Sequence, residues 1–509
     1  MRQTNTHHNY HEKASQKSQS PQKSGRQTPQ ASAAQQSQAR PSSRHRPQRP
    51  GRTRLSLNRA ESARQITKDR LSAFYRVEFP LKFDSNSSDN ISGARVKGDS
   101  PINGHAKNTP ETSADSGRHV FRQLLGRDPV IPDLTSEESR SLAGKTVLVT
   151  GAGGSIGSEV CRRLIQYRPR EIVLVDMSEC ALYEIDYELS HRPAPLPRII
   201  PMIGDVSNER TCERMFRKYD VHAVFHCAAY KHVPMMEINP GEAVLNNVIG
   251  TRVFANAARD AGVERFVMVS TDKAVRPVSI MGASKRIAEL YIQSLASVAD
   301  TRFITVRFGN VLGSSGSVVP LFEKQIRNGG PVTITHPEME RYFMSIEEAA
   351  NLVIQAGVMG REGEIFILDM GRPIRIIELA EHMIRQAGAQ PYTDIPIQFI
   401  GLRPGEKLLE ELLQPDERIH PTGHARIQCA RSRPVHLQSL INDIDRLEEV
   451  ALSDDRRHIV DMLQAILPEY RPENILAHHH SGALLQKDQF TASVHMTPQV
   501  NADPSTPAV

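Results

Sequence analysis

From Lys145 onward, short apolar runs alternate with stretches of helical periodicity. The runs Thr146–Thr150, Glu171–Asp176, Ile199–Ile203, Ala223–His226, Phe266–Val269, Phe303–Arg307 and Ile365–Asp369 read as buried strands. Between them, Cys161–Tyr167, Cys180–Ser190, Thr211–Tyr219, Gly241–Ala261 and Gly282–Val298 read as amphipathic helices. This alternation predicts right-handed βαβ units and an α/β fold, a Rossmann-like doubly wound parallel sheet covered on both faces. Beyond it, 376–389 and Glu406–Leu413 read as helices and Ile397–Ile400 as a strand, completing a smaller interleaved α/β lobe. Ile441–Leu467 again has helical spacing.

Composition separates the ends from this body. Residues 1–118 are rich in Gln, Ser, Pro, Arg and His and have no periodic apolar stripe, which predicts a disordered tail. Residues 1–60 hold twelve Lys and Arg against the single acid Glu12, a net of +11 in a chain whose total is +5. The basic character therefore belongs to the tail, an arm suited to an anionic membrane surface or nucleic acid. A solvated, non-specific extension is the plainer reading of the same charges. The reading divides the chain into this tail, a lead-in over 119–144 with a short helix at Val120–Leu125, and a dinucleotide-binding domain over 145–310. A return strand near 365–369 joins that domain. A mainly substrate-binding lobe over 311–430, a helical extension over 431–477 and a second disordered tail over 478–509 follow. No stretch approaches the roughly 18 apolar residues of a spanning helix, so no transmembrane helix is expected. Cys161, Cys180, Cys212, Cys227 and Cys429 have neither disulfide nor metal spacing, which fits a cytoplasmic protein with no metal site.

The chemistry gathers where strands end. After Val147–Val149 come Gly151, Gly154 and Gly157, with Ser155 and Ile156 between the last two. Glycine at this spacing lets the backbone approach a pyrophosphate, and the helix that follows aims free N–H groups at it. Asp176 ends the second strand 19 residues after Gly157, with Ser178 just beyond. An acid there accepts hydrogen bonds from a ribose 2′-hydroxyl and repels a 2′-phosphate, so NAD is expected and NADP is the alternative. Asp205 and Val206 follow the third strand, and Asp205 suits an adenine amino group or a helix cap. Ala228 and Ala229 leave room for a nucleotide beside Lys231, though tight sheet packing also accounts for two alanines. The fifth strand runs into Thr271, Asp272 and Lys273. Met281 and Lys285 follow on one face of the next helix. A partly desolvated lysine near a cationic cofactor loses affinity for its proton and serves as a base.

The runs TGAGGSIGSE, GDV, AAYKHVP, STDKAVRP, MGASKR, VRFGNVLGSSGSV, THPEMERYFM and GLRPGEK together resemble one family. Residues 119–415 are similar to the extended short-chain dehydrogenase/reductases that act on nucleotide sugars. Within these they most resemble the polysaccharide-biosynthesis, CapD-like branch of UDP-N-acetylglucosamine 4,6-dehydratases. The resemblance implies a tightly bound, recycled NAD(P), a UDP-sugar substrate and a homo-oligomer. It also implies that Asp272 acts as acid, Lys273 as the base at sugar C5, and Lys285 as the holder of the nicotinamide ribose. Asn310 falls where related enzymes contact the diphosphate, and Arg341 and Arg403 offer planar forks suited to phosphate oxygens, with Glu406 a further candidate for substrate binding, although Glu347 and Glu406 also offer the two arginines structural ion pairs.

Two departures matter. Most of the superfamily has tyrosine where this chain has Met281, which moves no proton, and large membrane-linked members of the branch share the methionine. Asp272, with Thr271 beside it, is then the candidate base at the C4 hydroxyl. Long members also begin with membrane helices, where this chain has its basic arm. A UDP-sugar 4-epimerase and a non-catalytic dinucleotide-sensing module are the alternatives. Met281 favours the second, and the Asp272–Lys273 pair speaks against the first.

Overall fold

The computed structural model describes residues 134–361, 363–431 and 435–472. The expected tails, the Val120–Leu125 helix and most of the lead-in lie outside these residues. Seven parallel strands form the centre: β1 (Thr146–Thr150), β2 (Glu171–Asp176), β3 (Arg198–Ile203), β4 (Ala223–His226), β5 (Arg265–Thr271), β6 (Arg302–Phe308) and β7 (Glu364–Leu368). Two antiparallel strands, β8 (Arg418–Pro421) and β9 (Ile427–Arg431), extend the β7 edge. The spatial order is β8-β9-β7-β6-β5-β4-β1-β2-β3. The order therefore reverses between β1 and β4, the crevice where doubly wound sheets bind their ligands.

Every residue of β1 is buried, as a strand covered on both faces requires. Leu148, Val173 and Val224 turn to one face, where they share a core with Cys212, Met215, Phe254 and Ile287. Val147, Val149, Ile172 and Leu174 turn to the other, against Val160, Leu164, Ile185 and Val353. A separate small core, with Phe322, Val332, Phe343 and Leu379 among its members, holds the lobe. In that lobe Val332–Ile334 pairs in parallel with Ile397–Phe399.

The helix Ile280–Ala296 is buried along its whole length except Gln293. Its cover comes from the chain's last described elements. The helices Leu437–Ser453 and Arg456–Ile466 bring Leu440, Ile444, Leu447, Ile459 and Leu463 into the core that contains Ile287 and Leu290. They replace the single helical stretch expected over Ile441–Leu467, and the break falls at Asp454, whose φ is +55°.

Three further expectations are corrected. The first helix begins at Ser155, not Cys161, because its Gly154 cap has no side chain to announce it. The stretch read as one helix over Gly241–Ala261 is Pro240–Ala243, a π-helical segment Val244–Ile249 and Gly250–Asp260. Glu406–Leu413 is not helical. Gly405, at φ +77°, turns the chain, and its groups bond outward instead. The Leu408 carbonyl accepts from the Glu340 N–H at 3.0 Å, and Lys407 Nζ donates to the Val275 carbonyl at 2.9 Å.

Candidate active site

The glycine turn joins β1 to its helix at the sheet crevice. Gly151 has φ +64°, and a Cβ there would lie 2.8 Å from the Ala228 nitrogen. A Cβ on Gly157 would lie 2.0 Å from the Gly151 carbonyl oxygen. Both positions therefore exclude any side chain, and the cradle is sized for bare backbone. Gly154 caps the helix with extended backbone and no side-chain hydrogen bond, leaving the first-turn N–H groups to a ligand.

Gly151, Gly154, Asp176, Asp205, Val206, Ala228 and Ala229 line one cleft with Tyr230 and Asn246. Asp176 is oriented by backbone: Oδ2 accepts from Gly153 N–H and Oδ1 from Ser178 N–H, both at 2.9 Å. Ser178 itself caps the next helix, its Oγ accepting from Ala181 N–H at 3.3 Å. Asp205 is not the cap of the helix after β3. Asn208 fills that role, and Asp205 Oδ1 accepts from Ser207 N–H and Oγ–H at 2.9 and 2.6 Å. The Val206 side chain is buried in the core, half-buried Ile156 packs on the core beneath the turn, and Lys231 is exposed. Ser155 Oγ accepts from Ser315 N–H at 3.0 Å, which ties the glycine turn to the loop after β6.

The reactive groups stand at the end of β5. Lys273 Nζ donates to Asp272 Oδ1 and to Asn310 Oδ1, each at 3.0 Å. Thr271 Oγ donates to the same Asp272 oxygen at 2.9 Å. Asp272 is fully buried, whereas the Lys273 side chain is 19% exposed, so the lysine is the accessible member of the pair. Asp272 Oδ2 has no hydrogen-bond partner among the described residues and faces Gly309, where a Cβ would approach it to 3.0 Å.

Met281 sits buried in the first turn of the Ile280–Ala296 helix. One turn on, Lys285 is also buried, and burial brings its ammonium down to about 8, with Glu289 and Cys227 opposing. Lys285 has no hydrogen-bond partner among the described residues. An ammonium with no hydrogen-bond partner, close to Cys227 in the cleft wall, suits a polar ligand, and it fits the ribose of a dinucleotide.

The residues expected to hold the sugar nucleotide divide. Asn310 faces Lys273. Arg341 is buried, and its Nη1 donates to the Glu340 and Leu408 carbonyls at 2.7 and 3.0 Å. Arg403 is half exposed and bonded to Glu406, Nη2 to Oε1 at 2.7 Å and backbone N–H to Oε2 at 3.1 Å. The Arg403–Glu406 ion pair is thus formed within the loop itself.

Two groups of residues were not singled out from sequence. Glu410, 4% exposed, brings Oε1 to 3.8 Å from Lys273 Nζ. The leucines around it gave a helical reading, which hid an acid turned inward. Behind β5, Arg307 is fully buried between Glu289 and Glu417, with Nη2 to Glu289 Oε2 at 2.6 Å and Nη1 to Glu417 Oε2 at 2.7 Å. Ser270, next to Thr271, donates to Glu289 Oε1 at 2.7 Å. Its chemical signal was charge inside otherwise apolar elements.

Among the described residues no helix is long and apolar enough to cross a membrane. Residues 147–432 match the model of a family described as polysaccharide biosynthesis protein. The capsular polysaccharide biosynthesis protein CapD of Staphylococcus aureus is 53% identical over 299 residues, 58% of this chain and 49% of CapD. A UDP-glucose 4-epimerase of Rickettsia akari is 34% identical over 279 residues, 54% of this chain and 79% of the epimerase. The X-ray structure of Pen from Bacillus thuringiensis superimposes with a TM-score of 0.53 at 34% identity, covering 58% of this chain and 89% of Pen. The chain spans about half the length of the polysaccharide-biosynthesis relatives it matches, 49% and 55%.

Proposed function

This chain belongs to the polysaccharide biosynthesis protein family of extended short-chain dehydrogenase/reductases, and from that premise we propose that it is a nucleotide-sugar 4,6-dehydratase. The substrate we propose is UDP-N-acetylglucosamine and the product its 4-keto-6-deoxy derivative. The observation that carries this reading is the pairing of Lys273 with Asp272 opposite a helix whose proton-carrying position is Met281. When bound, NAD would supply the hydride acceptor for sugar C4 and the hydride donor for C6. Gly151, Gly154 and the first-turn N–H groups would hold its pyrophosphate, Asp176 its adenosine ribose and Lys285 its nicotinamide ribose.

The remaining steps are proton movements. Thr271 Oγ donates to Asp272 Oδ1, so the C4 hydroxyl proton can pass through this hydroxyl to the aspartate. Lys273, as neutral amine, takes the proton from C5. Asp272, now protonated, gives its proton to the C6 hydroxyl as water leaves. One carboxyl thereby serves as base and then as acid, a task that suits an oxygen pair of which one member has no other partner. Arg403 suits the diphosphate as a planar fork. A cytoplasmic setting, a homo-oligomer and contact of the basic arm with an anionic surface complete the proposal, all resting on sequence alone.

Kinship to a UDP-glucose 4-epimerase favours a second reading, 4-epimerisation. That reaction needs no base at C5 and would leave Lys273 without a task. Incubation with UDP-N-acetylglucosamine separates the two. Loss of one water and a new C6 methyl signal in the proton NMR spectrum are expected, whereas an unchanged mass with an inverted C4 would make the chain an epimerase.

Lys285 gives an expected result of opposite signs. Lys285→Met removes a buried, unpaired ammonium, so the empty protein should unfold at the same or a higher temperature. Dinucleotide affinity should fall about tenfold or more, the loss of a charge-assisted hydrogen bond. The pH dependence follows. Because the folded protein gives up the Lys285 proton near pH 8, against 10.5 ordinarily, the unfolded chain binds more protons between these values. Stability of the empty protein therefore gains from this group as pH rises through that window, and Lys285→Met should lose that gain. Thermal unfolding with and without NAD, across pH, reads both effects.

A further inference from the structure

Glu410 is buried to 4% exposure and makes no hydrogen bond among the described residues. A carboxylate in that state is costly unless a charge faces it. The charge is Lys273, whose Nζ lies 3.8 Å from Glu410 Oε1. The lysine has two closer acceptors, Asp272 Oδ1 and Asn310 Oδ1 at 3.0 Å, which use two of its three N–H groups. Among the acids paired with Lys273, Glu410 comes next after Asp272. Asp272, Arg341 and Lys407 are the other charged groups that face Glu410. The loop 401–413 has no helix to form because it carries this acid inward, with the Leu408 carbonyl fastened to Glu340 and Arg341 on one side.

We propose that Glu410 is a positioning residue that acts through Lys273, taking the proton from its ammonium and so presenting a neutral amine to sugar C5. The inference rests on the dehydratase reading. In the step an N–H bond of Lys273 breaks, its electron pair stays on nitrogen, and an O–H bond forms on Glu410. Ammonium and carboxylate become amine and carboxylic acid, with no change in total charge and no oxidant or reductant. The pair closes by about an ångström to reach hydrogen-bond length. Asp272 is the weaker candidate for this task. Its Oδ1 already accepts from both Thr271 and Lys273, and the carboxyl is engaged by the C4 and C6 protons. Burial, with Asp272 adding to it, raises the affinity of Glu410 for a proton, although Lys273, Arg341 and Lys407 oppose the rise.

The test is the pH profile of kcat for formation of the 4-keto-6-deoxy sugar, wild type beside Glu410→Gln and Glu410→Asp. In the wild type, activity requires one proton shared by the pair, so the acid-side limb follows Glu410. In Glu410→Gln the lysine must lose its proton to solvent, so that limb should move to higher pH by about one unit or more. The rate at neutral pH should fall about tenfold or more and recover at alkaline pH. Glu410→Asp keeps an acid and should keep the wild-type limb at a lower rate. A limb in Glu410→Gln that stays in place, or moves to lower pH, overturns the proposal, because loss of packing moves no limb and loss of a mere counter-charge moves it the other way. If Glu410→Gln does not fold, Glu410→Asp decides, and a full wild-type rate there overturns it. A wild type that forms no product removes the dehydratase reading and this inference with it, a result distinct from an active wild type with unshifted variants.

Discussion

Lys273→Met is expected to reduce formation of the 4-keto-6-deoxy sugar by about a thousandfold or more while leaving the protein folded and able to bind NAD. The size follows from what is lost. A positioned base contributes on the order of a hundredfold to ten-thousandfold. Methionine keeps the length of the side chain and removes its charge. Glu410 loses its nearest cation, but Arg341 and Lys407 still face it, which limits the cost in stability. The dinucleotide cradle lies at the end of β1 and does not depend on Lys273. A variant that makes no product but retains NAD thus separates an enzyme that has lost its base from a chain that has lost its fold. Retention of dehydration near the wild-type rate would remove Lys273 from the mechanism.

The second large effect is on stability. Arg307→Met is expected to destabilise the protein by roughly 3–5 kcal/mol, the cost of breaking a buried ion pair from one side. Arg307 has no exposure, and its guanidinium bonds both Glu289 and Glu417. Removing it leaves two buried carboxylates with Arg286 as their remaining close cation. Arg307, with Arg286 and Ser270, holds the Glu289 carboxyl down to about 2, overcoming its burial, against 4.5 ordinarily. A lowered acid contributes stability that is present in full above 4.5 and lost as pH falls toward 2. Arg307→Met should therefore unfold at a higher pH than wild type on acid titration, which circular dichroism measures directly. Because Ser270 donates to Glu289 and precedes Thr271, the variant should also slow the reaction at temperatures where it remains folded.

What was legible in the sequence was whatever is written locally. The seven parallel strands are short, continuous apolar runs, since burial on both faces removes the need for polar alternation. The glycine turn, Asp176 and the Met281–Lys285 pair are set by spacing within one or two elements, with the turn after β1, Asp176 at the end of β2 and the pair one turn apart on the Ile280–Ala296 helix. β8 and β9 were missed because they are short and mixed, with Arg418, His420 and Pro421 at an edge of the sheet. Glu406–Leu413 was misread because its leucines have helical spacing. Their period instead reflects a loop in which Leu412 and Leu413 turn to the core and Leu408 and Leu409 stay exposed. The acceptors around Lys273 were only partly legible for a different reason. Asp272 is its neighbour in sequence, but Asn310 and Glu410 come from the loop after β6 and from the far end of the lobe. No local pattern links such positions, and only the folded chain brings them to one nitrogen.

The central claim is that a hydride leaves C4 of the sugar and comes back at C6 of the same molecule. The direct test is UDP-N-acetylglucosamine carrying deuterium at C4, incubated with the full chain and NAD, with the product read by NMR and mass spectrometry. A 4-keto-6-deoxy sugar whose C6 methyl carries the deuterium is the result expected. Deuterium still on C4 of an epimerised sugar, or substrate recovered unchanged, would contradict it.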